Sequence, residues 1–260
     1  PVKDKLTLRG ASEHNLKGID VHFPMNMLTV VTGVSGSGKT TLVKRILYPA
    51  LKRELEGFSE RPGEYVALEG DFRRIEAVEM VDQNPIGRSS RSNPVTYVKA
   101  WDEIRQLYSE VDVAKVRGYK PSFFSFNVDG GRCDVCQGEG QVHIEMQFMA
   151  DISLTCEACK GKRFKEEILD VRFGGKDVAE VLDMTVDDAL TFFGAQQEKA
   201  AACLRILSKL LPLQETGLGY VKLGQSSSTL SGGEAQRIKL ASFLTKGQEV
   251  KPTLFIFDEP

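Results

Sequence analysis

The chain has 260 residues, 34 of them basic and 36 acidic, for a formal net charge of −2. That near balance excludes binding to nucleic acid or membrane through bulk charge, so any such surface has to be local. No apolar run approaches a membrane span and the start, Pro1-Val2-Lys3-Asp4-Lys5, is no signal peptide, which predicts a soluble, cytoplasmic protein without a membrane partner.

In chain order, residues 6–9, 19–23 and 28–32 read as short strands. The third leads into Gly33-Val34-Ser35-Gly36-Ser37-Gly38-Lys39-Thr40, which fits the phosphate-loop pattern G-x-x-x-x-G-K-[ST]. A helix over 40–55 follows. In this strand–loop–helix setting glycines let backbone N–H groups close around a triphosphate, and the positive end of the helix points at the same anion. Gly33, Ser35, Gly36, Ser37, Gly38 and Thr41 are the candidate cradle; Lys39 reaches the β- and γ-phosphates of ATP, and Thr40 offers a hydroxyl to Mg²⁺. A strand over 75–81 ends at Asp82-Gln83, where Gln83 can meet the same Mg²⁺ or the attacking water. From residue 88 a polar, basic loop precedes a helix over 97–108, which sets a boundary between an ATP-binding core (1–87 and 246–260) and an inserted domain (88–245).

Cys133-Asp134-Val135-Cys136 and Cys156-Glu157-Ala158-Cys159 flank residues 137–155, a spacing that suits two knuckles around one tetrahedral structural Zn²⁺. Alternation between them (Val142, Ile144, Met146, Phe148) predicts a hairpin inside a zinc module of about 117–166, with His143 on its surface. Arg132, Lys160, Lys162 and Arg163 crowd the knuckles, either as solvated side chains balanced by Glu157, Glu166 and Glu167 or as candidate DNA-backbone contacts, in which case Phe148 and Met149 near the hairpin tip are candidates for sensing distorted bases. After the second pair come a strand over 168–173, helices near 177–182, 186–193 and 197–210, the last carrying Cys203 as a core thiol, a helix within 230–244, and an apolar strand over 254–257. Asp258 and Glu259 end that strand as candidate Mg²⁺ ligand and water-polarising base.

Leu230-Ser231-Gly232-Gly233-Glu234-Ala235-Gln236 is similar to the signature of the ATP-binding-cassette (ABC) ATPases, in which Ser231, Gly232 and Gly233 would meet a γ-phosphate on an opposing cassette. With Arg91-Ser92-Asn93-Pro94, Arg117-Gly118-Tyr119, Phe124-Ser125-Phe126-Asn127-Val128, Gly130-Gly131-Arg132-Cys133, Cys159-Lys160-Gly161-Lys162-Arg163 and Leu223-Gly224-Gln225, the whole chain resembles the second cassette of the UvrA family, the A subunits of excinuclease ABC. The resemblance implies an α/β fold: an ABC-type P-loop ATPase core with an inserted helical signature domain carrying a zinc-ribbon hairpin module. It also implies a nucleotide excision repair ATPase that uses ATP and Mg²⁺, binds damaged double-stranded DNA and the B subunit of the excinuclease, works with a first cassette of the same chain, and forms a homodimer. The opening proline and the stop after Walker B read as a fragment, with the family's D-loop and switch histidine beyond Pro260, and such a fragment should hydrolyse ATP poorly alone. No aromatic among the first 22 positions is placed to stack on adenine. Rival readings are a UvrA-like drug self-resistance ATPase, a transporter's nucleotide-binding subunit, which has no use for a zinc module, and a DnaJ-like zinc module, whose repeat Cys159-Lys160-Gly161-Lys162 fails.

Overall fold

A computed structural model describes residues 4–58, 60–144, 146, 152–245 and 251–259. The chain divides into two compact units, Pro1–Asp82 with Gly247–Pro260, and Gln83–Lys246.

The first unit opens with β1 (Lys5–Ala11) and β2 (Ile19–Pro24), paired antiparallel from Lys5↔Pro24 to Leu8↔Val21. Leu6 and Leu8 on one face of β1 are buried, as period-2 alternation requires. The register shifts between Leu8 and Ala11, where Gly10 takes φ +61° and its N–H is held by Asp20 Oδ1 at 2.9 Å. After the phosphate loop the chain winds at π-helix spacing over Thr41–Leu47 and continues as α1 (Tyr48–Glu56), ended by Gly57 in the left-handed region. Leu42, Ile46, Leu47 and Leu51 on this rod pack with Leu6, Leu8 and Phe23 in the unit's core. β3 (Ala67–Gly70), which the sequence did not announce, completes a three-stranded sheet in the order β2-β1-β3. β4 (Ala77–Val81) lies in a separate ladder.

The second unit is mostly helical. Asn93 caps α2 (Pro94–Tyr97), accepting from the Thr96 N–H at 3.0 Å, with Pro94 in the first turn where its missing N–H costs nothing. Lys99, at φ +60°, separates it from α3 (Ala100–Ser109), so the helix foreseen over 97–108 is two pieces. Trp101, Ile104, Leu107 and Tyr108 give α3 one buried face. α4 (Asp112–Val116) leads into the cysteine module, whose hairpin is β5 (Gln141–Ile144) and β6 (Ile152–Thr155), in register Gln141↔Thr155 to Ile144↔Ile152. The strand expected over 168–173 does not form. Lys165 leads into α5 (Glu166–Leu169) instead, whose first turn carries two acidic residues, and Ile168, Val171 and Phe173 reach the core without pairing in a sheet. A capping box of Asp177 and Glu180 starts α6 (Val178–Asp183), and Thr185 caps α7 (Val186–Gly194). α8 (Ala200–Glu215) packs against α3, α7 and α9 (Gly232–Thr245), and its Cys203 is buried in this core.

The chain then returns to the first unit for β7 (Thr253–Phe257), parallel to β4 from Ala77↔Thr253 to Val81↔Phe257. Residues 28–32, expected as the strand before the phosphate loop, are not a strand. Leu28 is 90% exposed and Val30 72%. Branched residues favour a strand only where a neighbouring ladder receives them, and this segment pairs with none of the described strands. Among the described residues no helix is long and apolar enough to cross a membrane.

Candidate nucleotide, metal and nucleic-acid sites

In the first unit the phosphate loop is drawn into a tight arch. The Ser37 N–H donates to Val34 O at 3.2 Å, and Leu42 N–H to Gly38 O at 2.8 Å, which begins the helix at the loop's end. Gly36 (φ +76°) and Gly38 (φ +96°) take left-handed backbone, the conformation that the motif's glycines supply. Lys39 Nζ donates to Gly33 O at 2.7 Å and Val34 O at 2.9 Å, so the ammonium lies across the loop where an anion's charge would be met. Thr40 is exposed and Thr41 half-buried at the start of the helix. Sequence reasoning missed the support beneath this arch. Asn15 Nδ2 donates to Gly36 O at 2.6 Å, and a methyl on Gly38 would lie 2.8 Å from Leu16 Cδ2. No local pattern marks Asn15; only the fold brings it to the loop.

The β4–β7 ladder delivers the acidic pair. The Asp258 N–H donates to Val81 O at 3.2 Å, and the Asp258 carboxylate sits 3.6 Å from Lys44 Nζ on the helix after the loop. The structure thus gathers Asp258 to the same helix that carries Thr40 and Thr41. Glu259 follows with φ +52°, a conformation few non-glycine residues adopt, and is exposed.

In the second unit the signature opens α9. Ser231 Oγ accepts the Glu234 N–H at 3.2 Å, and Glu234 Oε2 accepts the Ser231 N–H at 2.8 Å, a reciprocal capping box. Tyr220 donates its hydroxyl to Glu234 Oε1 at 2.7 Å, and this bond, followed by the Ser231 N–H, holds the Glu234 carboxyl below its ordinary value. The two glycines serve different ends. A methyl on Gly232 would lie 2.7 Å from Gln83 Oε1, whereas one on Gly233 would meet nothing within 4 Å. Gly232 therefore admits Gln83, and Gly233 leaves the helix N-terminus open to a ligand.

The four cysteines form a buried cluster. Cys133 and Cys156 sulfurs lie 3.9 Å apart, Cys136 and Cys159 3.6 Å, and all four within 4.8 Å of one another. Four sulfurs ~2.3 Å from one tetrahedral centre sit ~3.8 Å apart, so the set fits a divalent metal with no position left for a reactant. None of the four is in a disulfide. The Gly140 N–H donates to Cys136 Sγ at 3.2 Å, the knuckle bond that steadies a thiolate. Burial, joined by the neighbouring sulfurs, pushes the Cys159 thiol up to about 12, while Cys156, against its burial, is lowered by the N–H groups of Cys159 and Ala158. A cation at the centre is what reverses the cost of packing such groups together.

Two of the candidate DNA cations are corrected by the structure. Arg163 is turned inward: its guanidinium donates to Gly224 O at 2.9 Å, lies 5.5 Å from the Phe126 ring centre, and keeps one buried N–H unpaired. Burial lowers its pKa from the ordinary value. Arg132, 13% exposed, is gripped by Asp129 at 2.6 Å, by Asn127 O at 3.2 Å and by Gln137. Both act as framework arginines, Arg132 on groups beside the first knuckle and Arg163 on the Gly224 carbonyl ahead of the signature. Lys160 and Lys162 are exposed. Phe148 and Met149 lie outside the described residues. His143 is at the surface, between Glu139 at 3.0 Å and Ser153 at 2.8 Å.

A phosphate loop and an acidic strand end in one unit, with a signature helix and a four-cysteine hairpin module in the other, define an ABC-type P-loop ATPase core carrying an inserted signature domain. No family model matches the chain. It is 51% identical over 255 residues to UvrABC system protein A of Clostridium perfringens, 98% of this chain and 26% of that protein. Against UvrABC system protein A of Aquifex aeolicus it is 52% identical over 250 residues, 96% of this chain and 26% of that protein. The crystal structure of UvrA2 from Deinococcus radiodurans superposes with a TM-score of 0.88 at 44% identity, over 100% of this chain and 30% of that one. The chain is similar to the UvrA proteins at about half identity, spans about a quarter of the length of the curated relatives it matches, and fits part of one UvrA cassette.

Proposed function

We propose that this chain forms part of the second, C-terminal cassette of a cytoplasmic nucleotide excision repair ATPase that recognises damaged double-stranded DNA. The observation that carries the reading is a four-cysteine cluster of metal-holding geometry inside the unit that bears the signature, in a chain about half identical to UvrABC system protein A. Neither a transporter subunit nor a self-resistance ATPase is favoured by any observation.

In this reading the N–H groups of the arch from Gly33 to Thr41 bind the triphosphate of ATP, and Lys39 leaves the loop carbonyls for the β- and γ-phosphates. Thr40 and Asp258 would hold Mg²⁺, which neutralises charge developing on the phosphates when bound. Glu259 accepts a proton from the attacking water, and Gln83 orients it. Ser231, Gly232 and Gly233 complete the site of an opposing cassette, from the first half of the same polypeptide or the second copy of a homodimer. The four cysteines would hold one structural Zn²⁺, whose chemistry is confined to fixing the two knuckles. Lys160 and Lys162 contact the DNA backbone, Phe148 and Met149 sense distorted bases, and the B subunit of the excinuclease docks elsewhere in the protein.

The test uses the full-length protein and its Lys39→Ala variant, measuring ATP hydrolysis and binding to duplexes with and without a bulky adduct. Hydrolysis lowered by Lys39→Ala, with an ATP-dependent preference for the adduct in the parent, is the expected result. Equal affinity for both duplexes at every nucleotide condition would refute the repair reading.

A further inference from the structure

The turn between α8 and α9 places Tyr220 beside the signature. Leu218 and Val221 on either side of it are buried, which leaves Tyr220 facing outward at 59% exposure. A large aromatic so exposed contributes little to the core, yet its hydroxyl is fully used. It donates to Glu234 Oε1 at 2.7 Å and accepts from Arg237 Nη2 at 3.4 Å. Arg237 also reaches Gly217 O at 3.3 Å and Thr216 O at 3.5 Å, at the C-terminus of α8. A continuous chain of bonds therefore runs from the end of α8 through Arg237 and Tyr220 to Glu234, and from Glu234 to the N–H of Ser231.

Proton counting shows what this chain does. The Ser231 hydroxyl has one proton and two lone pairs, and the Glu234 N–H occupies one lone pair. The proton remains available to an anion at the open helix N-terminus. Its nearest competitor is the Glu234 carboxylate itself, which lies one side-chain rotation away and would accept a hydroxyl proton more strongly than a neutral group does. Tyr220 holds one oxygen of that carboxylate while the Ser231 N–H holds the other, and the two bonds together oppose the rotation that would bring a remaining lone pair to the hydroxyl.

We infer that Tyr220 is a positioning residue for the signature: by fixing Glu234 in the capping box it keeps the Ser231 hydroxyl proton for the γ-phosphate of a nucleotide on the opposing cassette. The inference rests on the ATPase reading above. It separates Tyr220 from residues that merely stabilise α9, because its effect has to pass through Glu234.

The experiment is a double-mutant cycle in the full-length protein: Tyr220→Phe, Glu234→Ala and the pair, with Lys39→Ala and Ser231→Ala as references. Steady-state ATP hydrolysis, affinity for a non-hydrolysable ATP analogue and thermal midpoint are measured for each. Tyr220→Phe is expected to lower kcat about tenfold, the scale of one hydrogen bond to a charged group, with analogue affinity changed less than about twofold and the midpoint unmoved. In the Glu234→Ala background Tyr220→Phe should change kcat no further. An unchanged kcat for Tyr220→Phe, or an equal fall in the Glu234→Ala background, overturns the role of Tyr220 while leaving the ATPase reading intact. Hydrolysis that neither Lys39→Ala nor Ser231→Ala lowers overturns the reading beneath it, and the inference with it.

Discussion

Replacing Gly138 by alanine should disable the metal site without touching a ligand. Gly138 follows Cys136 in the first knuckle with φ +83°, and a methyl there would lie 2.1 Å from the Phe126 carbonyl oxygen and 2.9 Å from its carbon. Left-handed backbone costs a residue with a Cβ roughly 1–2 kcal/mol. Forcing a packed backbone apart adds about 1–3 kcal/mol. In the proposed metal-bound knuckle this strain is expected as lost metal affinity, at least about thirtyfold for ~2 kcal/mol. Gly161 in the second knuckle offers an internal comparison. It has φ +80°, but its methyl would meet Thr155 Cγ2 at 3.3 Å and Gly140 O at an ordinary 3.9 Å, so Gly161→Ala should weaken binding by about tenfold, chiefly from backbone strain. Gly175, with φ +81° and nothing within 4 Å, lies outside the module, and Gly175→Ala should lower stability and leave metal affinity unchanged. Competition with a chromogenic chelator for zinc, at fixed pH, reads all three. Gly138→Ala binding as tightly as Gly161→Ala, or Gly175→Ala binding as weakly as either, would refute the reasoning.

Tyr108 is buried in α3 and donates to Lys176 O at 2.6 Å, so Tyr108→Phe should cost about 1 kcal/mol in chemical unfolding by removing that bond, the carbonyl keeping the Phe173 N–H at 3.0 Å. Glu103, bonded first by Arg205 at 2.9 Å and then by Lys209 at 3.0 Å, is held below its ordinary value and ties α3 to α8. A depressed carboxyl stabilises the fold above its unfolded pKa and loses that contribution as pH falls through the folded value. Glu103→Gln should therefore narrow the stability difference between neutral and acidic pH, by about 0.5 kcal/mol given the exposed Arg205. Lys160→Glu with Lys162→Glu should weaken binding to damaged and undamaged duplex alike and reduce its salt dependence, whereas Arg163→Met should leave the salt slope unchanged; salt-titrated anisotropy separates them.

The chemistry legible in the sequence was chemistry that a few consecutive residues can build. Gly33 to Thr40 needs one loop and the start of one helix, each Cys-x-x-Cys needs one knuckle, and Ser231 to Glu234 needs one helix cap; in each the backbone geometry follows from the residues themselves. The alternation over 141–144 and 152–155 likewise specified a hairpin, because its partner strands are neighbours in the chain. Two strand readings failed where alternation was present but no ladder received it, at 28–32 and 168–173. The cations around the knuckles show the same limit at the level of side chains. Arg132, Lys160, Lys162 and Arg163 carry the same charge in the sequence, yet Arg132 and Arg163 spend theirs on Asp129 and the Gly224 carbonyl while the two lysines face solvent. The contacts of Asn15 with Gly36, of Gln83 with Gly232 and of Tyr220 with Glu234 were likewise silent in the sequence, although Gln83 itself was marked. Motif identity is local, and the residues settled it. Which donor meets which acceptor depends on burial and on partners from distant segments, and only the tertiary structure decided that.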